Sequence, residues 1–222
     1  MNIKYAVYIV SIDIDREEKT RDHLAFFGFN DIVKLKCKIT KENHGIGAGL
    51  SHQDCVKHAK SLGYTHTLVF EDDTRLDTNT TNIFPHILEY IENNNDWEYL
   101  AFSHTLLGRS DDKWVPGGFD VSFAKKLVCE KNIRRVSDHI FTIENIKHMS
   151  QPVIGNSCCV MYNNASDKFL TDFDPWNDQW MDIWSPKNLK TLLINPIIAT
   201  QYDKPWQKDH CLDWGKLLSS IK

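Results

Sequence analysis

A chain of 222 residues, 41% hydrophobic and 25% charged, has the composition of an ordinary globular protein and can bury one sizeable core. Its formal net charge of −4 argues against a nucleic-acid protein that relies on a basic surface, yet permits an anionic nucleotide neutralised locally. No Pro/Gly/Ser-rich linker divides it, so a single domain over 1–222 is expected.

Tyr5 to Ile12 reads as a first strand, too short and without the cleavage site of a signal peptide. No apolar run approaches the roughly 18 residues that cross a bilayer, so a cytoplasmic protein is expected, at most peripheral to the membrane face. Asp15 to Glu18 has the spacing of a capping box and opens a helix that Gly28 ends. A short strand over Ile32 to Cys37 follows. The next helix, about Gly47 to Leu62, puts His52, Cys55, Val56 and Ala59 near one face and stops at Gly63. Leu68-Val69-Phe70 is a continuous apolar run that fits a strand buried on both faces. This β-α-β-α-β order predicts an α/β fold, a mostly parallel, Rossmann-like central sheet flanked by helices.

Phe84, Ile87, Leu88 and Ile91 repeat at helical spacing, with Pro85 in the first turn and Asn93-Asn94-Asn95 as the close. Trp97 to Ser103 reads as a strand. Over 105–151, Gly117-Gly118, Lys125-Lys126 and Arg134-Arg135 suggest loops and short elements across one end of the sheet. Cys158 to Tyr162 reads as a strand, Asn164 to Leu170 as a helix, and Thr191 to Ile198 as a last strand interrupted by Pro196. Six cysteines without zinc or disulfide spacing are expected as free thiols, with Cys158-Cys159 buried as small apolar residues.

The apolar strand at Leu68 runs directly into Glu71-Asp72-Asp73. Ligands collect at the carboxyl edge of such sheets, and strand alternation would send Glu71 and Asp73 to one side, where like charges attract a cation. A few carboxylate oxygens suit Mg²⁺ or Mn²⁺, which take further oxygens from water and a diphosphate. On spacing alone, an acidic loop with Asp73 capping a turn explains the triplet equally well.

Three motifs in order carry a resemblance: Tyr8-Ile9-Val10-Ser11-Ile12 with a following Arg16 or Arg21, Gly47-x-x-x-Ser51-His52, and Leu68-Val69-Phe70-Glu71-Asp72-Asp73. Together they resemble glycosyltransferase family 25, which includes lipooligosaccharide and procollagen galactosyltransferases. Asp167-Lys168-Phe169-Leu170 and Asp178-Gln179-Trp180-Met181 stand in its later motif positions, while Gly155-Asn156-Ser157-Cys158-Cys159 departs from its Gly-Thr-x-Ala-Tyr. The resemblance implies a GT-A type fold and a metal-dependent transfer of galactose or glucose from a UDP-sugar to a glycan, glycolipid or protein hydroxyl, with inversion. Residues 1–104 would hold nucleotide sugar and metal, and 105–222 the acceptor.

On this resemblance Glu71 and Asp73 are the metal ligands, with Mn²⁺ or Mg²⁺ as cofactor. Val10, Ser11, Ile12, Arg16, Gly47, Ser51, His52 and Asp72 are the residues expected around the donor. Ser51 and His52 would lie near a helix start, where backbone N–H groups favour an anion, though a histidine on an inner helix face also suits the core. Asp178 is the first candidate for the base that inversion requires, and Asp182, four residues on, is the second. Trp176, Trp180 and Trp184 recur every four residues around them, as an acceptor groove or as core. Trp206, Trp214, Lys204, Lys208 and Lys216 are further acceptor contacts to consider. A metal-dependent nucleotidyl- or phosphotransferase would use the same acids, and a non-catalytic nucleotide-sugar-binding protein could keep the same fold.

Overall fold

The computed structural model describes residues 3–35, 37–38, 43–103, 107–110, 113–116, 127, 129–130, 132–144, 158–178, 180–201 and 219. Gly117-Gly118, Lys125-Lys126, Gly155-Asn156-Ser157, Gln179, Trp206, Trp214 and the lysines 204, 208 and 216 lie outside them. In chain order the elements are β1 (Tyr5–Val10), α1 (Ile14–Phe26), β2 (Ile32–Val33), α2 (His44–Ser61), β3 (His66–Glu71), β4 (Thr74–Leu76), α3 (Thr80–Asn93) and β5 (Tyr99–Ala101). There follow β6 (Leu107–Ser110), β7 (Lys113–Pro116), β8 (Ile133–Arg135), β9 (Ile140–Ile143), β10 (Cys159–Asn163), α4 (Lys168–Thr171), α5 (Met181–Asn188), β11 (Thr191–Ile194) and β12 (Ala199–Gln201).

Eight strands form the central sheet in the order β2-β1-β3-β10-β5-β11-β9-β8. The fold is α/β, with β2, β1, β3, β5, β11 and β8 running one way and β10 and β9 the other. The two reversed strands make the sheet mixed, with parallel pairing confined to β1–β2, β1–β3 and β5–β11. The last predicted strand is two: after β11 the chain turns at Asn195-Pro196, and β12 pairs with β4 in a separate ribbon. The segment 105–151 supplies the β6–β7 hairpin and the β8–β9 pair that extends the sheet edge.

Both faces of the sheet are buried, which explains the unbroken apolar run of β3. Tyr8, Val69, Tyr99, Val160 and Tyr162 pack under α2 and α5, while Val7, Leu68, Phe70, Leu100 and Met161 pack under α1 and α3. Alternation along β3 therefore sends Val69 and Glu71 toward the α2 side.

Helix ends follow local chemistry. Asp13, not Asp15, caps α1: its side chain accepts the Arg16 N–H at 3.1 Å, three residues on. Asn43 caps α2 by accepting the Gly45 N–H at 2.7 Å, so that helix starts three residues before Gly47. Gly28 (φ 89°) and Gly63 (φ 77°) take the left-handed conformation that stops α1 and α2. α3 starts at Thr80, so Pro85 falls inside it instead of in its first turn.

Candidate functional site

The parallel register of β1 and β3 sets Val10 opposite Glu71, so both chains leave the sheet side by side. The Asp72 N–H donates to the Val10 carbonyl at 3.1 Å, which locks the two exits together. The Ser11 hydroxyl lies 2.7 Å from Asp72 Oδ2, and the buried Thr20 hydroxyl donates to the Asp72 carbonyl at 2.5 Å. Because Asp13 places Arg16 in the first turn of α1, the guanidinium lies over the triplet. Its Nη2 is 2.8 Å from Asp72 Oδ1 and 3.5 Å from Asp73 Oδ2.

The strand β3 ends at Glu71, and Asp72 and Asp73 lie in the turn that leads to β4. Strand alternation therefore does not extend to Asp73, and it is Asp72 and Asp73 that share the Arg16 guanidinium. The Glu71 N–H donates to the Cys158 carbonyl at 2.8 Å, and the Cys158 thiol is raised by burial first, with the charges of Glu71 and Asp73 adding.

A cleft of about 220 Å³ opens at this edge. Val10, Ser11, Ile12, Arg16, Glu71 and Asp72 line its strand side, and Cys37, Lys38, His44, Gly47, Ala48 and Ser51 its other side. The Ser51 hydroxyl ties the second wall together, accepting the Lys38 N–H at 2.9 Å and donating to the Gly47 carbonyl at 2.8 Å. The Ser11 N–H reaches Cys37 Sγ at 3.0 Å, and burial pushes that thiol up. The first turn of α2 thus brings its positive end, His44 and the Lys38 segment to the wall facing the acids. Lys38, His44 and Cys37 were not singled out in the sequence, because no motif or periodicity marks the stretch between β2 and α2.

Seven of the residues expected around the donor therefore share one cleft: Val10, Ser11, Ile12, Arg16, Gly47, Ser51 and Asp72. His52 is not among them. It points into the core, 1% exposed, with Nδ1 3.0 Å from the Tyr162 hydroxyl, and burial holds it neutral with a pKa lowered to about 3.

Asp178 and Asp182 do not share a helix face, since α5 begins only at Met181. The Asp178 carboxylate instead accepts the Asp174 N–H at 2.6 Å and closes a turn. Asp182 lies in the first turn of α5. Burial raises Tyr162 most, with smaller electrostatic contributions from Tyr99, Asp182, Cys55 and Glu71. Neither Asp178 nor Asp182 is among the residues that line the cleft. The tryptophan repeat also splits, with Trp184 in the core and Trp176 and Trp180 exposed.

Among the described residues, no group of three or more His, Cys, Asp or Glu side chains forms a ready metal cage. The donor set fits a more open arrangement. Mg²⁺ or Mn²⁺ in a phosphate site takes one or two protein carboxylates and completes its shell with water and phosphate oxygens, which the triplet can offer. Among the described residues, no helix is long and apolar enough to cross a membrane.

No protein-family model matches the chain, and none of the curated proteins does. Among solved structures, it is similar to a glycosyltransferase involved in the glycosylation of the major capsid of PBCV-1, with 11% identity and a TM-score of 0.41 over 79% of this chain and 70% of that one. It is also similar to HddC from Yersinia pseudotuberculosis complexed with GMP-PN, with 11% identity and a TM-score of 0.40 over 99% of this chain and 100% of that one. Likenesses of this depth fix neither an activity nor a ligand.

Proposed function

We propose that the protein is a metal-dependent glycosyltransferase of the GT-A type, moving galactose or glucose from a UDP-sugar to a hydroxyl of a glycan, glycolipid or protein. The observation that carries this reading is the cleft in which Ser11, Arg16, Ser51 and Asp72 meet at the carboxyl ends of β1 and β3. Ser11 and Val10 would face the nucleoside. Arg16, Ser51 and the N-terminal turn of α2 would face the diphosphate, combining a fixed positive charge with oriented N–H groups.

Asp73 and Glu71 would hold the Mg²⁺ or Mn²⁺. Bound there, the ion would act as a Lewis acid on the departing diphosphate. In the inverting displacement the acceptor oxygen bonds to the anomeric carbon as the bond to the phosphate oxygen breaks, and UDP departs with the electron pair. The acceptor proton goes to a carboxylate, and Asp182 takes precedence over Asp178 for this role. Asp178 is committed to the Asp174 N–H, whereas Asp182 lies in the first turn of α5.

The test is nucleotide release. Purified protein with Mn²⁺ and a panel of nucleotide sugars should release UDP from one donor, and Asp73→Ala should abolish that release. Asp182→Asn should slow transfer at least 100-fold with donor binding retained, the scale of general-base catalysis. Donor binding indifferent to metal and to Asp73→Ala would sink the reading, and a phosphorylated or nucleotidylated product would replace it with phosphotransfer.

A further inference from the structure

The loop before α5 exposes two large aromatic side chains, Trp176 at 56% and Trp180 at 60%, although it is tied down by its own hydrogen bonds. The Trp176 N–H donates to Asp174 Oδ1 at 2.9 Å, the Asn177 amide to Asp174 Oδ2 at 2.5 Å, and the Asp178 N–H to the Asp174 carbonyl at 2.8 Å. With the Asp174 N–H bound by Asp178, the turn over 174–178 is closed from both ends. Trp176 therefore projects from a turn over 174–178 that its own hydrogen bonds hold.

Trp180 is also placed. A Cβ on Gly45 would lie 3.2 Å from its Nε1 and 3.3 Å from its Cδ1, so the indole seats on the first turn of α2 because residue 45 has no side chain. The residue before Gly45, His44, lines the cleft. The indole thus packs one residue along α2 from a cleft-lining position, and Asn177 and Asp178, both held by Asp174, lie between the two tryptophans in the chain.

We propose that Trp180, supported by Trp176, is the platform on which a pyranose ring of the acceptor stacks at the mouth of the donor cleft. This rests on the glycosyltransferase reading above. A saccharide suits these residues better than a peptide or a lipid tail. The indoles alternate with Asn and Asp instead of forming one apolar patch, and a sugar offers both a C–H face for the ring and hydroxyls for the polar groups. A rigid aromatic side chain loses little entropy on binding, and here its loop is already ordered.

Methyl β-galactoside, methyl β-glucoside and lactose serve as probes, read by tryptophan fluorescence and by the indole N–H signals in ¹⁵N spectra, with UDP affinity measured alongside. At least one saccharide should move the Trp180 signal of the unaltered protein. Trp180→Ala should weaken that saccharide about tenfold, Trp180→Phe should retain most of the affinity, and UDP affinity should stay the same in both. If Trp180→Ala does not fold, the signal in the unaltered protein and the Phe variant decide. Absence of any saccharide response at Trp180, or equal saccharide affinity in a folded Trp180→Ala protein, overturns the platform. So does a dimer that Trp180→Ala converts to monomer, since the indole would then be a subunit contact. A saccharide response without UDP binding supports the platform while rejecting the donor site, so the two readings fail separately.

Discussion

His52 and His66 are both held neutral by burial, with pKa values lowered to about 3 and about 4, so the folded chain resists protons that the unfolded chain accepts below about 6.5. The stability this provides is complete above 6.5 and falls with pH, by about 1.4 kcal/mol per unit for each histidine until its folded pKa is reached. We expect the urea midpoint to drop steeply between pH 6 and pH 4, about in the middle of the acid range, and His52→Gln to flatten that limb. An unchanged slope in the variant would show that other groups set the acid limit. At this scale the sequence was partly legible. Ser11, Arg16, Ser51 and Asp72 sit in short motifs that fix which strand end or helix turn carries them. His52 belonged to the same motif, yet the inward face of α2 took it, and a motif does not record which way a helix is rotated. Lys38 and His44 reach the cleft only through the packing of α2 and the segment before it, which leaves no local pattern to read.

The helix α2 shows how an element can be specified against its own propensity. Glycine at 45, 47 and 49 weakens a helix by roughly 1 kcal/mol each relative to alanine. Two of these positions are explained by close approach. A Cβ at Gly49 would lie 2.9 Å from Phe173 Cε1, inside a stack in which Phe173 and Phe169 rings are 5.3 Å apart, and one at Gly45 would meet Trp180. Gly49→Ala should therefore destabilise the protein by about 1 kcal/mol, because a core clash of roughly 1–3 kcal/mol outweighs the helix gain. A rise in the urea midpoint would show that Phe173 moves aside freely. Helix and strand types were readable from periodicity, while edges were not: α1 starts at the cap Asp13 chooses, and β3 stops before its alternation reaches Asp73.

Across the whole molecule, protection should follow position in the sheet. Amide exchange should be slowest in β3 and β10, paired on both sides, and fastest at β2 and β8, which form the edges. Equal protection across the sheet would mean that it opens only as a unit. The parallel core of β1, β2 and β3 was visible as a repeat of strand and helix. The place of β10 was not, because an antiparallel partner far along the chain leaves no mark on the sequence around β3. Its position has a consequence for the order in which the protein is made. Strands β3 and β5 emerge from a ribosome well before the strand that joins them, since β10 occupies Cys159–Asn163. The nascent first half must therefore wait with two sheet edges unpaired, a stage in which chaperones and aggregation compete for it.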